Sequence, residues 1–181
     1  LVIGEEDGGL GAFGTLRRQR NVLDLDESVP LAVYVGSVTI DRGLELCVDA
    51  LAALPDVHLA TVGPRYVETE TAMIKRAAQL DVAHRLHLVD ARPADEIVSF
   101  IGSANCSVMP IQNVCLSYYY CFPNTLLESV FAGLPVVVAD LLELRNFVER
   151  YRVGVVVDER DPQSIAAGIR RTIEDDSLRP T

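Results

Sequence analysis

The sequence predicts an α/β domain: a mostly parallel sheet covered by helices on both faces. Three observations predict it. From residue 30 onward short β-branched runs alternate with helical patterns, with little length between them. Six such runs occur, and each is followed by a helical segment. The composition is globular, at 49% apolar and 23% charged residues, and no segment approaches the ~20 uninterrupted apolar residues of a membrane span.

In chain order, "LAVYVG" (31–36) reads as the first strand. "GLELCVDALAALP" (43–55) follows as an amphipathic helix, with Leu44, Cys47, Val48, Leu51 and Leu54 on one stripe, Glu45 and Asp49 off it, and Pro55 ending it. "VHLATVG" (57–63) is the second strand, 66–80 a helix, "RLHLVD" (85–90) the third strand and "ADEIVSFIGSA" (94–104) a helix. "CSVMP" (106–110) makes the fourth strand, followed by a helix over 124–133. "PVVVAD", "LLELRNFVERY", "GVVVD" and a helix over 162–175 complete the alternation. The whole is a Rossmann-like, doubly wound, six-stranded sheet. Ligands bind such sheets outside the carboxyl ends of the strands, where the strand order reverses.

The boundaries expected are a flexible lead-in or interdomain segment over 1–29 and one domain over 30–181, which is enough chain for a single sizeable core. Gly9, Gly11 and Gly14 match G-x-G-x-x-G, with Asp24 and Asp26 further on. "EEDG" separates those glycines from the only strand candidate, and "TLRRQRN" offers almost no apolar face for a crossover helix, so the linker reading is preferred. The N-terminal "LVIG" has no basic region ahead of it and is too short for a signal peptide, so the cytosol is the expected compartment.

A net charge of −10 argues against wrapping a nucleic-acid backbone, and no nucleic-acid partner is expected. An anionic ligand would need a local cationic pocket. Cys47, Cys106, Cys115 and Cys121 show no zinc-type spacing and read as free, mostly buried thiols. His84 and His87, three apart at a strand start, fall on opposite faces, so no metal site is expected.

Three strand exits converge on the expected crevice. In "YVGSVTIDRG", Gly36 lets the backbone turn close to a ligand, and Arg42 precedes the glycine that opens the next helix. Arg42 there either holds a diphosphate or is a solvated charge at a helix start. "TVGPR", with Gly63, is by itself only a strand exit. In "SYYYCFPNTLLE", Pro123 starts a helix, Asn124 and Thr125 offer capping side chains, and the helix start turns unpaired N–H groups and a positive dipole end toward the crevice. Glu128, one turn in, either complements that dipole or, if buried, needs a partner such as ribose hydroxyls. Tyr118 to Tyr120 either floor a pocket or pack within the loop.

With these residues in view, "YVGSVTIDRGLELCVDALAALPDVHLATVGP", "ADEIVSFIGSANCSVMP" and above all "PNTLLESVFAGLPVVVADLLELRNFVERYRVGVVVDERDPQSIAAGI" resemble the C-terminal, donor-binding half of a GT-B glycosyltransferase of the retaining group 1, family four, type. The resemblance implies a sugar nucleotide diphosphate as substrate, no cofactor, and a cleft between two Rossmann-like domains. It further implies that Arg42 holds the phosphates, the amides of Asn124, Thr125 and Leu126 cap the diphosphate, Glu128 binds the ribose, and the base lies by Val89, Asp90 and Ala91. Two positions depart from the pattern: Ser37 stands where a second phosphate-binding Arg is usual, and Tyr120 stands where a glutamate would contact the donor sugar. Thr125 takes the place of a lysine found in some relatives. The catalytic residues are expected partly in an N-terminal domain outside this chain, which begins without Met. The acceptor, a sugar, lipid or protein, would be held there, so attachment to the inner face of a membrane stays open. The isolated chain is expected to bind nucleotide and turn nothing over. Two rivals stand beside this reading, a non-catalytic Rossmann-like binding or regulatory module and half of a sugar-nucleotide epimerase.

Overall fold

The structure, a computed structural model, describes residues 19–180. A short helix α1 (Gln19–Leu23) leads into β1 (Leu31–Val35), α2 (Leu44–Leu51), β2 (His58–Val62), α3 (Val67–Gln79), β3 (Leu86–Val89), α4 (Ile97–Ile101) and β4 (Cys106–Met109). After these come α5 (Leu116–Tyr119), α6 (Asn124–Phe131), β5 (Val136–Ala139), α7 (Leu142–Tyr151), β6 (Gly154–Val157) and α8 (Pro162–Glu174). Every strand expected from the alternation forms. The sheet order is β3-β2-β1-β4-β5-β6, and all its neighbours run parallel.

Uniformly apolar runs make these strands because the sheet is covered on both sides; β1, β4 and β5 are buried at every residue. Along β1, Ala32 and Tyr34 face a core shared with α2, α3 and α8, while Leu31, Val33 and Val35 face the core beneath α4. Val136 and Val138 pack with Leu126 of α6 and Leu144 of α7 on that second side, and Val137 faces α8. After β3 the chain crosses back to lay β4 against the other edge of β1. The strand order therefore reverses between β1 and β4, and the segments leaving their carboxyl ends diverge to leave a crevice.

Two features depart from the sequence reading. Residues 20–29, assigned above to a lead-in, are docked to the domain. Arg20 is 6% exposed and donates from Nε to Ser103 O (2.6 Å), from Nη1 to Asp26 O and Val29 O (2.9 and 2.6 Å) and from Nη2 to Asn105 Oδ1 (2.7 Å). Val22, Leu23 and Leu25 rest on the core under α4. The packed body thus begins ahead of residue 30, while Gly9, Gly11 and Gly14 lie outside the described residues. The second departure is α5, a single turn inside the loop between β4 and α6. Among the described residues no helix is long and apolar enough to cross a membrane.

Candidate functional site

The loop leaving β1 forms one wall of the crevice. Tyr34, 4% exposed, donates its hydroxyl to Ser37 O at 3.0 Å and so fixes the turn at Gly36 and Ser37. Burial, against a smaller opposing pull from Arg42, pushes the Tyr34 phenol up to about 12, so it stays a neutral donor. The loop closes on Gly43, which precedes α2 in the left-handed region (φ 68°); a Cβ there would stand 2.3 Å from Pro110 O. Glycine at 43 thus lets the start of α2 lie directly against the exit of β4. Gln112 ties the same place together: its amide N–H donates to Asp41 O (3.0 Å), and its side chain donates to Pro110 O and Glu159 O (3.0 and 2.6 Å). Exits of β1, β4 and β6 are joined through one residue, by its backbone and its side chain together.

Arg42, immediately before Gly43, is half-buried and places its guanidinium 5.1 Å from the centre of the Tyr118 ring, on α5. Its Nε is shielded from solvent and has no hydrogen-bond partner among the described residues. The same guanidinium is close enough to Cys121 to act on its thiol, whose pKa is raised chiefly by burial and partly offset by that positive charge. The cation of β1's loop thus leans on the segment that runs into α6.

At the start of α6 the details differ from expectation. Pro123, not Asn124 or Thr125, occupies the position before the first helical residue, and no side chain caps it. Asn124 and Thr125 lie inside the first turn, where their amides have no intrahelical acceptor, whereas the Leu126 amide donates to Pro123 O at 3.0 Å. Of the three amides assigned to a diphosphate, Asn124 and Thr125 keep theirs for another acceptor. Leu126 is fully buried and anchors the helix. Ser129 Oγ, within 2.8 Å of Ser107 Oγ and 2.7 Å of Thr125 O, ties α6 to β4. Glu128 is half-buried rather than buried, and its carboxylate has no partner among the described residues. Tyr118 and Tyr119 pack against the core under α6 and α7, while Tyr120 is 56% exposed and meets Tyr119 edge to face at 5.0 Å.

On the other flank, Gly63 N donates to Val89 O at 3.2 Å, and Val38 N to Pro64 O at 2.8 Å. Gly63 (φ 152°) is pressed so close to the backbone of Gly36 that a Cβ would lie 2.1 Å from Gly36 O. Val89 is buried, and Asp90 stands at the rim, bound by Arg65 Nη2 at 2.7 Å. Sequence reasoning passed over Arg65; a basic residue directly after a strand-exit Gly-Pro was its only signal. His87 turns to His58 rather than to His84, the rings stacked at 5.1 Å with Nδ1 of His58 and Nε2 of His87 2.9 Å apart. Cys47 and Cys106 are buried, Cys115 is exposed and Cys121 half-buried, all of them free thiols. Further along the rim, Asn113, Asp140, Asp158, Glu159 and Arg160 line a cleft of about 440 Å³.

Doubly wound domains take their ligands at such a switch point, and a cation beside a helix start is the kind of lining that suits an anionic ligand. The family description "Glycosyl transferases group 1" fits residues 17–180, and the chain belongs to that family. Its sequence is 28% identical over 177 residues to D-inositol 3-phosphate glycosyltransferase of Corynebacterium diphtheriae, covering 93% of this chain and 40% of that protein. Over 160 residues it is 27% identical to the lipopolysaccharide core biosynthesis glycosyltransferase LpsE of Rhizobium meliloti, covering 88% and 44%. Among solved structures it superposes on sucrose-phosphate synthase from Thermosynechococcus elongatus with a TM-score of 0.74 and 25% identity, over 90% of this chain and 41% of that one. Anabaena Alr3699/HepE, solved with UDP-glucose, gives a TM-score of 0.74 at 19% identity, over 90% and 43%. The chain thus spans about two-fifths of the length of these relatives.

Proposed function

We propose that this domain binds the nucleotide diphosphate of a sugar donor and that the protein transfers the sugar to an acceptor with retention. Arg42 carries the reading: a guanidinium held over Tyr118, with one N–H left unpartnered, beside a helix whose first two amides are open. Such fixed donors suit a pyrophosphate and would stabilise the charge that builds on it as the sugar leaves. Family membership and the UDP-glucose bound by Alr3699/HepE support a nucleotide sugar as the ligand class. Glu128, half-buried and unpartnered one turn into α6, offers a free acceptor that suits ribose hydroxyls. Calorimetric titration with UDP, GDP and ADP tests the reading. At least one should bind, and Arg42→Ala should cost about 1.5–3 kcal/mol of that affinity, the range for a hydrogen bond to a charged group. An unchanged dissociation constant in the variant would remove Arg42 from the site.

A second reading, a non-catalytic module, is favoured by one observation. Ser37 and the exposed Tyr120 leave the pocket without a second cation and without a carboxylate for the sugar. That module would bind none of the three nucleotides.

A further inference from the structure

We infer that the far flank of this crevice selects the nucleobase, favouring guanine over uracil through the Asp90 carboxylate, which Arg65 positions; the inference rests on the donor-binding reading above. Asp90 follows the last residue of β3, two strands away from β1, or about 10 Å across the sheet. A nucleoside whose phosphates sit at Arg42 has that much reach.

The pair is built asymmetrically. Arg65's side chain is only 14% exposed, and it spends Nη2 on Asp90 at 2.7 Å and Nε on Glu70 at 3.4 Å. Its backbone is locked as well, because Val38 and Arg65 form a parallel bridge and Tyr66 N donates to Val38 O at 3.0 Å. Asp90, by contrast, is 59% exposed. A sunken cation thus presents a carboxylate at the rim, with one oxygen held and the other open. Such a pair adds little stability on its exposed side, and Arg65 Nη1 is left buried without a partner among the described residues, which itself costs free energy. Stability alone does not account for the arrangement.

An ionised carboxylate only accepts hydrogen bonds. Guanine presents N1–H and N2–H side by side, two donors matched to it. Uracil presents a single N3–H between two carbonyl oxygens, which a carboxylate repels, and adenine and cytosine place a ring-nitrogen acceptor beside their amino group. Base selection therefore follows from the fixed acceptor.

The test is the affinity ratio of GDP to UDP, measured by calorimetry on the unaltered protein and on Asp90→Asn, Arg65→Ala and Arg65→Lys, with circular dichroism to verify the fold. GDP should bind at least about tenfold tighter than UDP, in keeping with a two-donor match. Asp90→Asn should collapse the ratio toward one, Arg65→Ala should lower it, and Arg65→Lys should restore part of it, which a merely structural role would not do. UDP binding as tightly as GDP overturns this inference and leaves the donor-binding reading intact. A ratio that survives in folded Asp90→Asn overturns it too. Binding of no nucleotide at all overturns both.

Discussion

At the scale of single residues, the site depends on positions where a side chain would not fit or cannot be satisfied. Gly43 is the sharpest case. Alanine there would have to hold φ near +68° and place its Cβ against Pro110 O. The left-handed conformation alone costs a side-chain-bearing residue roughly 1–2 kcal/mol, and relief of the clash must move either the start of α2 or the exit of β4. Gly43→Ala should therefore lower stability by about 2 kcal/mol or more in urea unfolding, and should weaken nucleotide binding as well, because Arg42 is the adjacent residue. Loss of stability with full nucleotide affinity would show that Arg42 does not depend on this contact. Thr61 is the opposite case. Its Oγ1 is buried without a partner among the described residues, opposite Tyr34 in the β1–β2 register. Thr61→Val keeps the shape and removes the unsatisfied hydroxyl, so it should raise stability by about 1 kcal/mol; a loss in the same measurement would mean that the hydroxyl has a bound partner.

Between elements, the contacts that matter are those between neighbouring strands, and these were the least legible from the chain alone. Runs such as "LAVYV" and the Leu44–Leu51 stripe announce their elements because apolar periodicity is a local property. Arg42 and the start of α6 could be brought together on paper because both follow strands that flank the switch point. Register is another matter. His58 and His87 meet because β2 and β3 pair with Ala60 opposite His87, and Arg65 reaches Asp90 through the same pairing. Nothing within 57–63 or 85–90 encodes that offset by itself. Arg20 escaped notice because hydrogen bonds to carbonyls hold it, rather than an apolar stripe, and α5 because four residues are too few to display a helical period. The histidine pair carries a consequence for acid stability. Burial, and then the neighbouring His58, lowers His87 to about 4, and burial lowers His58 as well. Unfolding returns each toward its ordinary value of 6.5. Between those limits the unfolded chain holds more protons, so stability rises with pH and is lost as the solution is acidified from 6.5 toward 4. The thermal midpoint should fall across that window, and His87→Gln should flatten the fall; equal slopes in both proteins would place the acid sensitivity elsewhere.

For the molecule as a whole, the decisive opposition is between a net charge of −10 and the proposed binding of an anion. The two act over different distances. Arg42 and the first amides of α6 act at contact, within a few ångströms, where added salt screens them little. Repulsion from the overall charge is long-ranged, extending about 30 Å at 10 mM salt and about 8 Å at 150 mM. A nucleoside diphosphate approaching at low salt must therefore cross a repulsive field before it meets the attractive site. Raising sodium chloride from 10 to 150 mM should speed association by a few-fold, the reverse of what a basic protein shows with an anionic ligand. Arg42→Ala should act mainly on dissociation, because it removes a contact rather than the field. Stopped-flow titration at several ionic strengths separates the two effects. If association instead slows with salt, positive potential at the crevice reaches beyond the Debye length, and cations other than Arg42, with Arg65 and Arg92 on the neighbouring strand exits the first to examine by substitution, must help to draw the ligand in.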